Sequence, residues 1–72
     1  MIGAICREYR LEKGVSLASL ASDSANYQTL YSFEQNKSTN FNHLRTYIKL
    51  AEHFGETDIL LRRLLGELKN NE

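Results

Sequence analysis

The stretch "SDSANYQTLYSFEQNKS", residues 22–38, changes character halfway along. Ser22-Asp23-Ser24 is poor helix material, because short polar side chains compete for the backbone's hydrogen bonds, and it reads as a turn. Asn26 then supplies a cap for a helix over about 27–35, in which Leu30, Phe33 and Glu34 share one side. From Gln35 to Asn40 the chain is a polar loop. A carboxylate beside the apolar face is awkward twice over: burial penalises its charge, and the negative end of the helix lies nearby. Either Glu34 turns out to water or a cation comes to meet it.

Helical spacing continues on both sides. Ile2, Cys6 and Tyr9, with Ile5 beside them, define a first helix that stops at Gly14 after Lys13 in its last turn. Ser16 caps a short second helix, about 16–22, carrying Leu17, Leu20 and Ala21. Phe41 before Asn42 suggests a staple and cap for a fourth helix, with Leu44, Tyr47, Ile48, Ala51 and Phe54 facing in and Gly55 ending it. Thr57 caps a fifth, Asp58 to about Lys69, with Asp58 well placed in its first turn. Residues 70–72 are expected to fray. With no proline, no hairpin signal and no strictly alternating run, the expected fold is all-α: five helices in one domain over residues 1–69.

A chain of 72 residues buries only about 60% of its unfolded surface, so the core is small and depends on tidy helix packing. The single Cys6 excludes an internal disulfide and suits a core position in a reducing, cytoplasmic setting. Two histidines and one cysteine give no zinc spacing, and no cofactor motif is present. His43 and His53 read as surface residues. With Cys6 and the carboxylates they form no nucleophile–base arrangement, so an enzyme is not expected. No run approaches the ~20 apolar residues of a membrane span, and Met1-Ile2-Gly3 does not read as a signal peptide. Net charge is zero, against a tail that coats nucleic acid indiscriminately. The distribution is uneven: residues 35–55 hold Lys37, Arg45 and Lys49 against Glu52 (3 − 1 = +2). Residues 56–72 hold Arg62, Arg63 and Lys69 against Glu56, Asp58, Glu67 and Glu72 (3 − 4 = −1).

"REYRLEKGVSLASLA" (7–21) followed by "NYQTLYSFEQNKS" (26–38) resembles the lambda-repressor/Cro-like helix-turn-helix family, also called the XRE family. The likeness runs from about Ile2 to Leu61, anchored by Gly3, Arg10, Gly14-Val15-Ser16, Leu20-Ala21, Leu30 and Phe33-Glu34. "KLAEHFG" (49–55) is similar to the family's fourth helix. The interval from Ala21 to Glu34 is closest to that of Rgg-type transcriptional regulators, whose helix-turn-helix domain precedes a large peptide-binding domain. The chain departs from the family at Leu17, where Gln is common, and at Ser24 and Asn36, where Gly is common. Asn is the next best residue for a left-handed backbone.

The resemblance implies an internal ion pair between Arg10 and Glu34, which answers the question posed by the carboxylate. It also implies sequence-specific binding of double-stranded DNA by a transcriptional regulator, with the third helix in the major groove. Base contacts are then expected from Tyr27, Gln28, Tyr31 and Ser32, with Gln28 suited to adenine and the Tyr27 ring to a thymine methyl or sugar. Backbone contacts are expected from Ser16, Asn36, Lys37, Ser38, Asn40 and Asn42. Taken singly, Tyr27 and Tyr31 also fit half-buried packing roles, and Lys37 a solvated loop charge.

A second class of function competes. "DILLRRLLGEL" (58–68) holds Ile59, Leu60, Leu61, Leu64, Leu65 and Leu68, more apolar surface than one helix face buries. Part of it should meet a homodimer partner or a following C-terminal domain, with Leu61, Leu64, Leu65 and Leu68 as the expected contacts. Alternatively the chain is a protein-interaction or antitoxin-like module with little DNA binding.

Overall fold

The computed structural model describes residues 2–21, 27–38 and 41–70, and all regular structure among them is helical. The elements are α1 (Ile2–Glu12), α2 (Leu17–Ala21), α3 (Tyr27–Glu34), a 3-10 turn (Phe41–His43), α4 (Leu44–His53) and α5 (Thr57–Asn70). The expected turn at 22–24, the Asn26 cap, Asn40 and residues 71–72 lie outside the described residues, as do the side chains of Phe41 and Leu68.

Three helix ends share one chemistry. After α1, Gly14 adopts φ 68°, its N–H donates to the Leu11 carbonyl (3.0 Å), and the Val15 N–H reaches back to Arg10 (3.2 Å). After α3, Asn36 adopts φ 62°, with bonds from Asn36 to Phe33 (3.1 Å) and from Lys37 to Ser32 (2.9 Å). After α4, Gly55 adopts φ 67°, with bonds from Gly55 to Glu52 (3.0 Å) and from Glu56 to Ala51 (2.8 Å). Each is a Schellman ending, in which one left-handed residue turns the chain and satisfies carbonyls the helix leaves open. Asn36 is the non-glycine member, using its tolerance of left-handed backbone.

Helix starts conform less uniformly. Ser16 caps α2 as expected: its Oγ accepts the Ser19 N–H (3.1 Å) and its carbonyl accepts from Leu20 (3.1 Å). The start of α4 lies one residue beyond the expected cap at Asn42: the chain enters through the 3-10 turn, and the N-cap position is His43, already helical (φ −72°, ψ −27°) and without a side-chain cap. Thr57 lies inside α5, whose first turn closes on the Glu56 carbonyl through the N–H groups of Ile59 and Leu60. That helix also continues to Asn70, one residue past the expected end.

The core comprises Cys6, Tyr9, Leu17, Leu30, Phe33, Tyr47, Ala51, Leu60 and Leu64. Leu17 at the start of α2 is a core side chain. Phe54 was expected to face in but is 43% exposed. It follows the last residue of α4 and covers the Lys13 ammonium, 5.3 Å from its ring centroid, instead of the core. His43 is half-buried rather than a surface residue, its ring 5.8 Å edge-on from Phe33. The radius of gyration, 11.4 Å, is close to the ~11 Å of a fully compact chain of this length.

Inside this core sits the ion pair. Arg10 Nε donates to Glu34 Oε2 (2.8 Å) and Nη2 to Oε1 (3.0 Å), the planar two-pronged geometry that suits guanidinium and carboxylate. The third nitrogen, Nη1, donates to the Val15 carbonyl (2.8 Å), and the Tyr47 hydroxyl donates to Glu34 Oε2 (2.5 Å). Hydrogen bonding to Glu34 raises the Arg10 pKa further, and burial followed by Glu34 raises that of Tyr47. Cys6 is fully buried, its thiol pushed up to about 12 by burial and, secondarily, by the Glu34 charge. A second junction ties α1 to α5: the Tyr9 hydroxyl donates to Glu56 (2.8 Å), Lys13 pairs with Glu56, and Arg63 pairs with Glu12 through two bonds of 2.8 and 3.0 Å.

Gly3 permits the closest approach of two helices. A Cβ there would lie 1.9 Å from the Phe33 carbonyl oxygen and 2.8 Å from Asn Oδ1 of residue 36. The start of α1 thus rests on the end of α3, an arrangement that also sets opposite helix-dipole ends together.

Two outcomes follow for stability. Arg10→Ala should cost ~3–5 kcal/mol in denaturant unfolding, because it strands the buried Glu34 charge. A loss within the range of a surface charge deletion would contradict burial of the pair. Gly3→Ala should cost ~3 kcal/mol or more, since the obstacle is backbone, whereas Gly14→Ala should cost only the ~1–2 kcal/mol of left-handed strain. Nothing lies within 4 Å of a Cβ at Gly14, so comparing the two variants separates collision from conformation.

Candidate nucleic-acid interface

The division of α3 into two faces creates the candidate site. Leu30, Phe33 and Glu34 are buried, so residues one-quarter to one-half turn away are forced outward. Tyr27 is 50% exposed and Tyr31, one turn on, is 48% exposed. Gln28 is exposed and Ser32 half-buried, and the four side chains line a single shallow concavity. All four expected base-contact residues are therefore brought together. The concavity offers two aromatic faces, an amide and hydroxyls, and no carboxylate lines it.

The expected backbone-contact residues are less uniformly placed. Lys37 is exposed just beyond the Asn36 turn, and Ser38 is half-buried. Asn36 is exposed, but its Oδ1 lies over Gly3 and is partly committed to the α1–α3 contact. Ser16 is exposed with its hydroxyl engaged as a cap, and Asn42 is exposed within the 3-10 turn.

The surrounding charge is one-sided. Glu34 is the one acid between residues 27 and 51, and its side chain is 2% exposed and neutralised by Arg10. Lys37, Arg45 and Lys49 are exposed, and none has an ion-pair partner among the described residues. Elsewhere three exposed or half-buried cations are matched, Lys13 with Glu56, Arg62 with Asp58 and Arg63 with Glu12, and Arg7 on α1 is exposed without an ion pair among the described residues. Lys13 and Tyr9 hold the Glu56 carboxyl below its usual range, and Arg63 does the same for Glu12. Overall neutrality thus conceals a stretch whose accessible charges are all positive.

Arg45, Thr46 and Lys49 were absent from the expected contact set. The available signal was the Arg45–Lys49 spacing of four, which puts both cations on one face of α4. Tyr47 was expected to face in, but its hydroxyl bond to Glu34 was not foreseen.

The α5 stripe divides as well. Leu64, expected as an intermolecular contact, is 6% exposed and belongs to the chain's own core with Leu60. The face that α5 turns to α1 and α4 takes these two leucines, and Ile59, Leu61 and Leu65 remain 37%, 42% and 57% exposed. No helix among the described residues is long and apolar enough to cross a membrane. No protein-family model matches the chain, and no curated protein or solved structure matches it.

Proposed function

We propose that the chain is a lambda-repressor/Cro-like helix-turn-helix domain that binds double-stranded DNA sequence-specifically, as a transcriptional regulator of the Rgg-like type. In this proposal α2 and α3 form the helix-turn-helix pair and α3 enters the major groove. The observation carrying it is the outward face of α3. An eight-residue helix with its opposite side fixed in the core presents Tyr27, Gln28, Tyr31 and Ser32 in one concavity, on a segment with no exposed acid. Gln28 supplies the donor–acceptor pair that matches adenine, and the tyrosine rings supply apolar contact for a thymine methyl. Lys37 and the flanking polar side chains hold phosphates and set register without reading sequence.

Exposure of Leu61 and Leu65 favours a second element of the proposal, contact through α5 with another copy or with a following domain. A two-fold dimer would set two α3 helices on one face of DNA, about 34–36 Å apart for half-sites one turn apart. If DNA binding is absent, this surface makes the chain a protein-interaction module instead.

Gln28→Ala should weaken binding to the preferred site by ~1–3 kcal/mol and relax choice at one base pair, with little effect on random duplex. Lys37→Ala should weaken all sequences about equally and lower the salt slope by roughly one unit. If neither variant changes duplex binding while both keep their helical circular dichroism, α3 is not in the groove. Leu65→Glu should weaken self-association in sedimentation while leaving the melting temperature near the parent's. Leu64→Glu should unfold the chain, because it places a charge in the core. A parent chain that stays monomeric at high micromolar concentration would exclude the dimer.

A further inference from the structure

The unmatched cations of α4 have a use that Lys37 and α3 do not exhaust. Asn42, Arg45, Thr46 and Lys49 bound one small concavity on the N-terminal half of α4. Arg45 and Lys49 stand four residues apart on the same helix face, so in isolation they repel one another. Both are exposed and neither is ion-paired among the described residues, a condition they share with Arg7 and Lys37 and not with Arg10, Lys13, Arg62 or Arg63, which have carboxylate partners. No Asp or Glu lines the concavity. Thr46 is 8% exposed, so this wall of the concavity is fixed by the core, while the two charges project from it. The site also lies towards the end of a ten-residue helix where the backbone dipole favours negative charge.

We infer that Arg45 and Lys49 form a phosphodiester clamp, with Asn42 and Thr46 supplying uncharged polar contacts. A guanidinium can grip two phosphate oxygens at once and an ammonium adds a point charge, a pairing suited to a tetrahedral oxyanion. The concavity is half open to solvent and both charges that bound it are exposed, so a phosphate presented by a polymer backbone can reach them. The polymer is duplex DNA, which rests on the function proposed above. The clamp holds the backbone beyond the base-reading face of α3 and contributes affinity without sequence preference.

The test compares the 72-residue parent with Arg45→Gln, Lys49→Gln and the double variant, binding preferred and random-sequence duplexes across a salt series. Glutamine keeps the helix and removes the charge. Each single variant should reduce the magnitude of the salt slope by about 0.9 and the double variant by roughly 1.8, with the preferred-to-random affinity ratio unchanged. A double variant with the parent's slope overturns the clamp and leaves DNA binding standing. A parent that binds no duplex overturns the function and the duplex clamp together. A nuclear magnetic resonance titration with inorganic phosphate then separates the chemistry from the polymer. Shifts centred on Asn42, Arg45, Thr46 and Lys49, and abolished in the double variant, support an anion site. Shifts spread evenly over all lysines and arginines overturn it.

Discussion

The Arg10 guanidinium is the point on which the rest of the domain turns. Its nitrogens reach Glu34 at the end of α3 and the Val15 carbonyl at the entrance to α2, and the carboxylate it grips also accepts the Tyr47 hydroxyl from α4. One planar group therefore touches the geometry of α1, α2 and α3 directly and α4 at one remove. Burying two charges is costly, and a well-packed apolar replacement is often no less stable, so the contribution of such a pair lies chiefly in geometry. A leucine at position 10 would tolerate many orientations of α3. A guanidinium with fixed hydrogen-bond directions tolerates few.

That constraint works because backbone accommodates it. Gly3 brings α1 onto the α3 carbonyls, and Asn36 then turns the chain away immediately after Glu34, so the carboxylate is held from one side and released from the helix on the other. With Leu30 and Phe33 already buried, α3 has no rotational freedom left about its axis. Tyr27, Gln28, Tyr31 and, in part, Ser32 face outward as a consequence of what their neighbours on the helix do.

Much of this was legible in the sequence, and the pattern of success has a physical basis. Gly14, Asn36 and Gly55 announced helix ends because few residues tolerate positive φ, and Ser16 announced a start because its hydroxyl satisfies a specific orphan N–H. Glu34 next to Phe33 called for either water or a cation, and only tertiary structure decides for Arg10 and adds Tyr47 and the Val15 carbonyl. The misplacements concern what periodicity alone cannot decide. Phe54 is in phase with the α4 apolar face but falls past the helix end, where phase stops applying. Leu64 and Leu65 are neighbours on α5, and which of them is buried depends on the angle at which α1 and α4 meet that helix. Thr57 lost its expected place because Glu56, already drawn in by Tyr9 and Lys13, stands one residue earlier. Most directly, the excess of cations over residues 35–55 was visible, and only the structure shows that Glu34, the single acid between residues 27 and 51, is internally spent.

Cys6 gives the closed core a built-in clock. Its thiol is fully buried and feels the charge of the same carboxylate that Arg10 and Tyr47 hold, and in that setting almost none of it is thiolate at neutral pH. Alkylating reagents need both access and the thiolate, and the native packing denies both. Modification must therefore proceed through molecules in which the core around α1 has opened, so its rate counts opening events rather than surface chemistry. A single natural cysteine, with no disulfide to reshuffle, thus records how often the polar knot at the centre of the domain comes undone.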